Sequence, residues 1–318
     1  MIQTMTSSPG IVNRIRSGLE WRANLVLDRA TRVRWPLSRL NDITADVDPD
    51  PKIALVVTGR NDNYGGDFRG RLASTLEWNL RAGRFAEAVY VEWNPLPDQP
   101  SDAEWLVKRF DNLRVYIVSP DRHKRSCTNP KMPMMEYFAK NVGIRRATAD
   151  WICAANADVL IGPDMFERMR RLSMDRVYGS HTVNIKWNGG RITPQDLEGS
   201  SVIGEFSADK KMYSVVGDFV LAHRDLWHTA RGYDESLTDR RVSCDGHGLA
   251  QLYHYGAAPR VLGRHYHLDH PESCRNAVLD HQGKYFNPED GVPYHNSESW
   301  GQADGEERQV GERTFYID

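Results

Sequence analysis

The chain has 318 residues, 40% of them apolar and 26% charged, with a formal net charge of −2. An ordinary soluble core fits in that length, and the near-neutral balance gives no general pull toward nucleic acid. Four scattered cysteines (Cys127, Cys153, Cys244, Cys274), none in a C-x-x-C pair, argue against a disulfide scaffold and a zinc knuckle and fit a reducing cytosol.

No stretch approaches the ~18–20 apolar residues of a transmembrane helix. The first residues lack the apolar core of a secretory signal, so a cytoplasmic protein is expected. Residues 1–50 read as a separate extension. Between Ile11 and Leu40 there are seven arginines and two acids, and Ile11, Ile15, Leu19, Ala23, Val26, Ala30 and Val33 recur at helical spacing. Such a basic amphipathic helix packs on the main domain or lies on a membrane surface, which leaves peripheral membrane contact through residues 11–40 open. Asp46–Pro51 reads as a linker.

From there strand and helix alternate. Ile53–Val57 is a short β-branched run suited to a buried parallel strand. A polar loop, Thr58–Asp67, leads to a helix through Leu72, Leu76 and Leu80. Ala88–Glu92 and Leu113–Val118 read as strands, Met134–Ala147 as a helix, and Trp151–Ala155 as a fourth strand. This order predicts an α/β fold with a mainly parallel sheet flanked by helices. Further strands are expected at Val177–Val183, Val215–Ala222 and Arg260–His267, with helices over Met165–Leu172 and Leu249–Tyr255. Residues 51–275 form the domain, and 276–318 read as a polar, turn-rich tail. Ligands of such sheets gather at the carboxyl ends of strands.

Four constellations occupy such places. Thr58-Gly-Arg-Asn-Asp-Asn-Tyr-Gly-Gly-Asp67 has glycines for close backbone approach and polar groups for ribose, base or phosphate, but it is neither G-x-G-x-x-G nor a P-loop. Asn156-Ala-Asp158 puts an acid after the fourth strand, where it can hold a divalent cation against a pyrophosphate, or cap a turn. Arg264-His-Tyr-His-Leu-Asp-His-Pro271 gathers three histidines. On a continuing strand His265, His267 and Asp269 share one face and His270 points away. Cys244-Asp-Gly-His247 offers Asp245 as a carboxylate that takes a hydroxyl proton, or as a helix cap.

In this order the pieces resemble the GT-A fold glycosyltransferases, particularly those like family 2, over roughly residues 52–272. The resemblance implies a Rossmann-like domain that binds a nucleotide-sugar donor, a UDP- or GDP-sugar, with Mn²⁺ or Mg²⁺. Thr58, Gly59, Arg60 and Asn61 then meet the nucleotide, and Glu92 the base or ribose. Lys140-Asn-Val-Gly143 matches the family's Asn-x-Gly helix, so Lys140, Asn141 and Arg145, with Arg146, are placed near the phosphates. Asn156-Ala-Asp158 stands at D-x-D with its first acid replaced, so the metal rests on Asp158, with His267, and behind it His265 and His270, completing its shell. Gly217, Asp218 and the Arg231-Gly-Tyr-Asp-Glu235 turn with Asp234 frame the acceptor side, and Asp245 is the catalytic base of an inverting displacement.

The expected activity is hexosyl transfer to a carbohydrate, glycolipid or small-molecule acceptor, of the kind that builds polysaccharides. The alternatives are a nucleotide-sugar-binding module without catalysis and a sugar-phosphate nucleotidyltransferase. Trp187, Trp227 and Trp300 are candidates to stack on sugar rings, against the commoner fate of burial.

Overall fold

A strand in the middle of a parallel sheet is covered on both faces, and the apolar run that opens the domain meets that condition. All seven residues of β2 (Ile53–Gly59) are buried. The computed structural model describes residues 47–208, 212, 217–241, 244–271 and 295–318. The basic helix expected over 11–40, Cys274 and the first part of the tail lie outside the described residues.

After β2 come α1 (Phe68–Arg81), β3 (Phe85–Trp93), α2 (Ala103–Arg109), β4 (Leu113–Val118), α3 (Pro120–Ser126), α4 (Glu136–Arg146) and β5 (Trp151–Ala155). Then follow β6 (Val159–Ile161), α5 (Pro163–Arg168), β7 (Leu172–Ser173), β8 (Arg176–Ile185), α6 (Pro194–Glu198) and β9 (Val202–Phe206). The chain continues through β10 (Phe219–His223), α7 (Arg224–Ala230), α8 (Cys244–His254), β11 (Ala258–Leu268), β12 (Glu307–Gly311) and β13 (Thr314–Ile317). Asp164 lies in the first turn of α5, with Gly162 at the cap, and this helix stops at Arg168, short of the expected Leu172.

The main sheet has the order β12-β13-β4-β3-β2-β5-β10-β8-β11-β6, with β9 added on β8. It is parallel from β13 to β5. Beyond β5 it is mixed: β10 is antiparallel to β5 and β8, β11 is parallel to β8, and β6 is antiparallel to β11. The α/β class expected from the alternation holds, with uninterrupted parallel order in one half and mixed pairing in the other.

One face of the sheet packs on α4, α7 and α8 through Val89, Val91, Val142, Ile144, Trp227 and Leu252. The other packs on α1 and α2 through Leu55, Val57, Leu72, Leu76 and Leu106. Burying each such side chain contributes roughly 1.5–3 kcal/mol. Helix α4 lies close against β2 because position 143 is glycine: a Cβ there would be 2.4 Å from Val56 Cγ1.

Two expected boundaries shift. Val47–Asp48, in the expected linker, is strand β1 and pairs with β7. Residues 295–318 do not trail as a polar tail. Strand β13 extends the sheet beside β4, because Thr314–Ile317 supplies a β-favouring Thr-Phe-Tyr-Ile segment with buried ends to an otherwise open parallel edge.

Candidate active site

Three side chains converge beyond β5 and β11. Asp158, His267 and His270 each present a ligand-capable atom, all within 4.8 Å of one another. Backbone pairing sets their places: Leu268 N–H donates to Asp158 O at 3.0 Å, so the end of β11 is fastened to the turn after β5. His267 Nε2 is 3.6 Å from Asp158 Oδ1, and His270 Nε2 is 3.3 Å from Asp158 Oδ2. His267 Nδ1 is 3.1 Å from Asn184 Oδ1. An amide oxygen only accepts, so Nδ1 donates to it, and the ring is fixed with Nε2 facing Asp158. Burial works against the charge on Asp158, but His267, His270 and Arg71 outweigh it and hold the carboxyl below its ordinary range. A carboxylate with two imidazoles, one already oriented, fits a divalent transition-metal ion better than Mg²⁺, which takes oxygen ligands.

The three-residue cluster contains His270 in place of the expected His265. Alternation along a strand predicts faces only while the strand lasts. Strand β11 ends at Leu268, and the chain turns beyond it, bringing His270 back over Asp158. His265, two residues before His267, does share its face but is fully buried. Its Nδ1 meets Ser180 Oγ at 2.7 Å, and its Nε2 lies 3.3 Å from Asp218 Oδ2.

Asp218 joins this cluster to a second group. Asn156 Nδ2 donates to Asp218 Oδ1 at 2.9 Å, while Asn156 Oδ1 accepts from Lys140 Nζ at 2.7 Å. Both ends of the amide are therefore engaged within the protein, and the position where the resemblance expected a metal-binding acid is a relay. Lys140 is fully buried and also donates to Gly217 O at 2.9 Å and pairs with Glu136 at 2.7 Å. Burial opposes the charge on Asp218, yet its bond to His265 and the charges of His265, His267 and Lys140 keep it strongly ionised. Asp245 stands in the first turn of α8, with Oδ2 3.1 Å from where a Gly217 Cβ would be. Burial, partly offset by the Gly246 N–H and by Lys140, raises the Asp245 carboxyl above its ordinary value.

The loop after β2 reaches the cluster through its glycines. Gly65, at φ 66°, lies against His270: a Cβ there would be 2.5 Å from Nδ1. Tyr64 meets the His270 ring edge-on at 5.1 Å, and the Arg241 guanidinium stands 5.5 Å over Tyr64. Buried Arg71, on the first turn of α1, donates to Gly65 O at 3.2 Å and approaches Asp158 at 4.0 Å.

The side chains expected to meet the nucleotide are otherwise occupied. Arg60 Nε donates to Asn94 O at 2.6 Å, and Asn61 bonds Leu96 N–H and O and Gln99 O. Thr58 is buried within β2, and Gly59 is backed by Phe68 and Tyr90. Glu92 is fully buried and accepts from the Ser101 hydroxyl and, at 2.9 Å, from Asp102 N–H; burial still raises it to about 7. These residues build the floor between two loops, which leaves backbone and the loop rims to meet a ligand.

Asn141, Arg145 and Asp234 are not at the cluster. Asn141 Oδ1 accepts from Tyr233 N–H at 2.7 Å, and its Nδ2 donates to Tyr233 O and Glu235. Gly232 allows this closeness, since a Cβ there would be 2.2 Å from Asn141 Oδ1. The crossover helix α4 runs antiparallel to the strands, so its last turn lies at their amino ends. There Arg145 stacks on Trp300 at 5.0 Å, and Arg146 pairs with Glu307. Asp234 is taken by Ser236, at 2.8 Å from its N–H, and His247. Trp227 and Trp300 are buried, and Trp187 packs on the cluster around Val183 and Ile185.

Arg71, Asn184, Tyr64 and Arg241 are the neighbours of the site that the sequence reading missed. The pair Gly65-Gly66, both at positive φ, is the sequence signal for this loop: it marks a backbone that approaches closely, here to His270 and Arg71.

No family model matches the chain, and no curated protein does. Among solved structures, the chain is similar to GalNAc-T7 crystallised with UDP, GalNAc and Mn²⁺, with 10% identity and a TM-score of 0.48 over 72% of this chain and 46% of that one. It is also similar to S. aureus TarS 1–349, with 14% identity and a TM-score of 0.40 over 68% of this chain and 60% of that one. The chain thus spans less than two thirds of either. Likenesses at this level transfer no activity.

Proposed function

We propose that this chain is a GT-A type glycosyltransferase that moves a sugar from a nucleoside-diphosphate donor to an acceptor hydroxyl with inversion. The observation that carries the reading is the Asp158–His267–His270 cluster at the carboxyl end of an α/β sheet, with Asp218 and Asp245 beside it. A divalent cation, Mn²⁺ by the nitrogen content of the site, would neutralise charge on the departing diphosphate. Asp158, His267 and His270 are the residues to hold it. Arg71, held against the carbonyls of the Gly65-Gly66 loop, adds positive charge beneath the same place.

Asp245 is the proposed base. Its raised proton affinity suits a group that must accept a proton from an acceptor hydroxyl near neutral pH. Asp218, ionised and bonded on both oxygens, is a poor proton acceptor and fits better as the strut that fixes the rim between donor and acceptor. UDP- or GDP-sugars and a carbohydrate or glycolipid acceptor complete the reading, and the basic segment 11–40 remains a proposed membrane contact.

Thermal shift with nucleoside diphosphates, with and without Mn²⁺, tests the donor site. Stabilisation near 3 kcal/mol at about 100-fold excess over Kd is expected for one nucleotide, and only with the metal. No stabilisation by any nucleotide sinks the reading. Donor hydrolysis then separates an enzyme from a binding module, and Asp245→Asn with near-normal turnover would remove Asp245 from its role.

A further inference from the structure

Tyr64 beside the cluster is half-buried, whereas Phe206 is 45% exposed. It ends β9, the short strand added to β8 beside the start of β10. Registered pairs share a face of a sheet. Phe206 pairs with Thr182, and Thr182 pairs on its other side with His265; Gly204 pairs with Asn184, and Asn184 with His267. Phe206 and Gly204 therefore extend the same face that carries the histidines, two strand spacings or about 10 Å away. Thr182 Oγ1 lies 3.5 Å from Asp218 Oδ2, which ties the row to the carboxylates. Val202, paired with Ile185, belongs to the opposite face and does not take part.

Position 204 leaves room on this face. A Cβ there would find only Asn184 Nδ2, at 3.5 Å. The result is an exposed ring, a bare backbone next to it, and ionised Asp218 and half-buried Asp245 along the edge. That combination suits a molecule with one apolar C–H face and hydroxyls around its rim. Resting on the glycosyltransferase reading, we propose that Phe206 is the stacking platform of an acceptor subsite that takes a pyranose ring. The ring's C–H face covers Phe206 and Gly204, and its hydroxyls turn toward Asp218 and Asp245. The loops after β2 and β3 lie across β5 and β10 on the other flank, which places the nucleotide away from Phe206.

The test is a ligand-observed NMR titration of methyl glycosides (gluco, galacto, manno and N-acetylglucosaminide) with the full chain, saturated with the nucleotide and Mn²⁺ found by thermal shift. One glycoside is expected to bind. Phe206→Ala weakens it roughly 5- to 10-fold, Phe206→Trp retains it, and nucleotide affinity stays within about twofold. The exposed position keeps the variants folded, which their melting temperatures check. If the wild type binds nucleotide but no glycoside, or binds a glycoside equally well with Phe206→Ala, the platform is wrong and the donor reading stands. If Phe206→Ala weakens nucleotide instead, the ring serves the donor and the proposal falls. If no nucleotide binds at all, the glycosyltransferase reading fails, and glycoside binding with Mn²⁺ alone that ignores Phe206→Ala overturns the platform as well.

Discussion

In the first half of α4, Lys140 lies buried among Glu136, Asn156 and Gly217; in its last turn, Arg145 and Arg146 face the C-terminal segment through Trp300 and Glu307. All three are cations within seven residues of one helix, and the sequence placed them together near phosphate. The difference comes from direction. A crossover helix between parallel strands runs back along the sheet, at about 1.5 Å per residue, so its first turns meet the ligand end and its last turns the opposite end. Cation content on such a helix is informative only after its polarity is counted.

The comparison is broken most severely at what the Lys140 end supports. Asp158→Asn keeps the shape and removes the charge shared by two histidines and Arg71. Mn²⁺ affinity, followed by calorimetry, is expected to fall about 100-fold or more. Retained affinity would move the metal away from this cluster.

Lys140→Met comes next. It leaves the Glu136 carboxylate and the Asn156 carbonyl without their buried cation, and unfolding by urea is expected to come about 3 kcal/mol earlier. A loss below about 0.5 kcal/mol would mean that the helix is held by packing alone.

Glu235 belongs to the far side of the comparison. Its carboxylate accepts from Asn141 and from Gly301 N–H, each at 2.9 Å, and burial raises it from 4.5 to about 7. A folded-state value above the unfolded one means that the native protein binds the proton more tightly. This contribution to stability is complete below about pH 4.5 and is lost as pH rises through about 7. Glu235→Gln keeps an acceptor without the charge. It should exceed the wild type by about 3 kcal/mol at pH 8 and match it near pH 4.5, measured by chemical denaturation. A difference independent of pH would refute the assignment.

Asn156→Asp sharpens the same point. It restores the acid that the resemblance expected, yet it removes the donor to Asp218 and sets two carboxylates side by side. Metal-dependent nucleotide binding is expected to weaken about 10-fold, and a gain would show that Asn156 was a weakened ligand.

Much of this fold was legible because its strands are short, β-branched and bounded by turns, as Ile53–Val57 and Trp151–Ala155 are. The helix 103–109 and the sheet-completing β13 were not, since a seven-residue helix and a four-residue edge strand carry too few periods to stand out. At the site, residue type and place single out Asp158 and His267, which the structure brings together with His270, and Asp218 and Asp245, which lie beside them. The facing of His270 is not legible from alternation, because strand β11 ends at Leu268 before it. The Asn-x-Gly helix was recognised but misassigned: Asn141 grips the 232–235 turn and Gly143 admits Val56, so the motif serves packing. Residue type does not tell whether a polar group's partner is a ligand or the protein itself.

The smallest expected effect is also the most direct check on helix direction. Arg145→Ala removes a cation over the Trp300 ring and a 3.1 Å bond to Trp300 O, at a partly exposed site. Loss of about 1 kcal/mol of stability is expected, with the apolar stem of the arginine contributing part of it. Nucleotide and Mn²⁺ affinities should not change, because nine rises of about 1.5 Å set Arg145 roughly 14 Å along α4 from its first residue at the ligand end, beyond the screening length at physiological salt. A fall in nucleotide affinity of tenfold or more, with the melting temperature nearly intact, would return Arg145 to the phosphates and reverse the polarity on which the assignment of Lys140 depends.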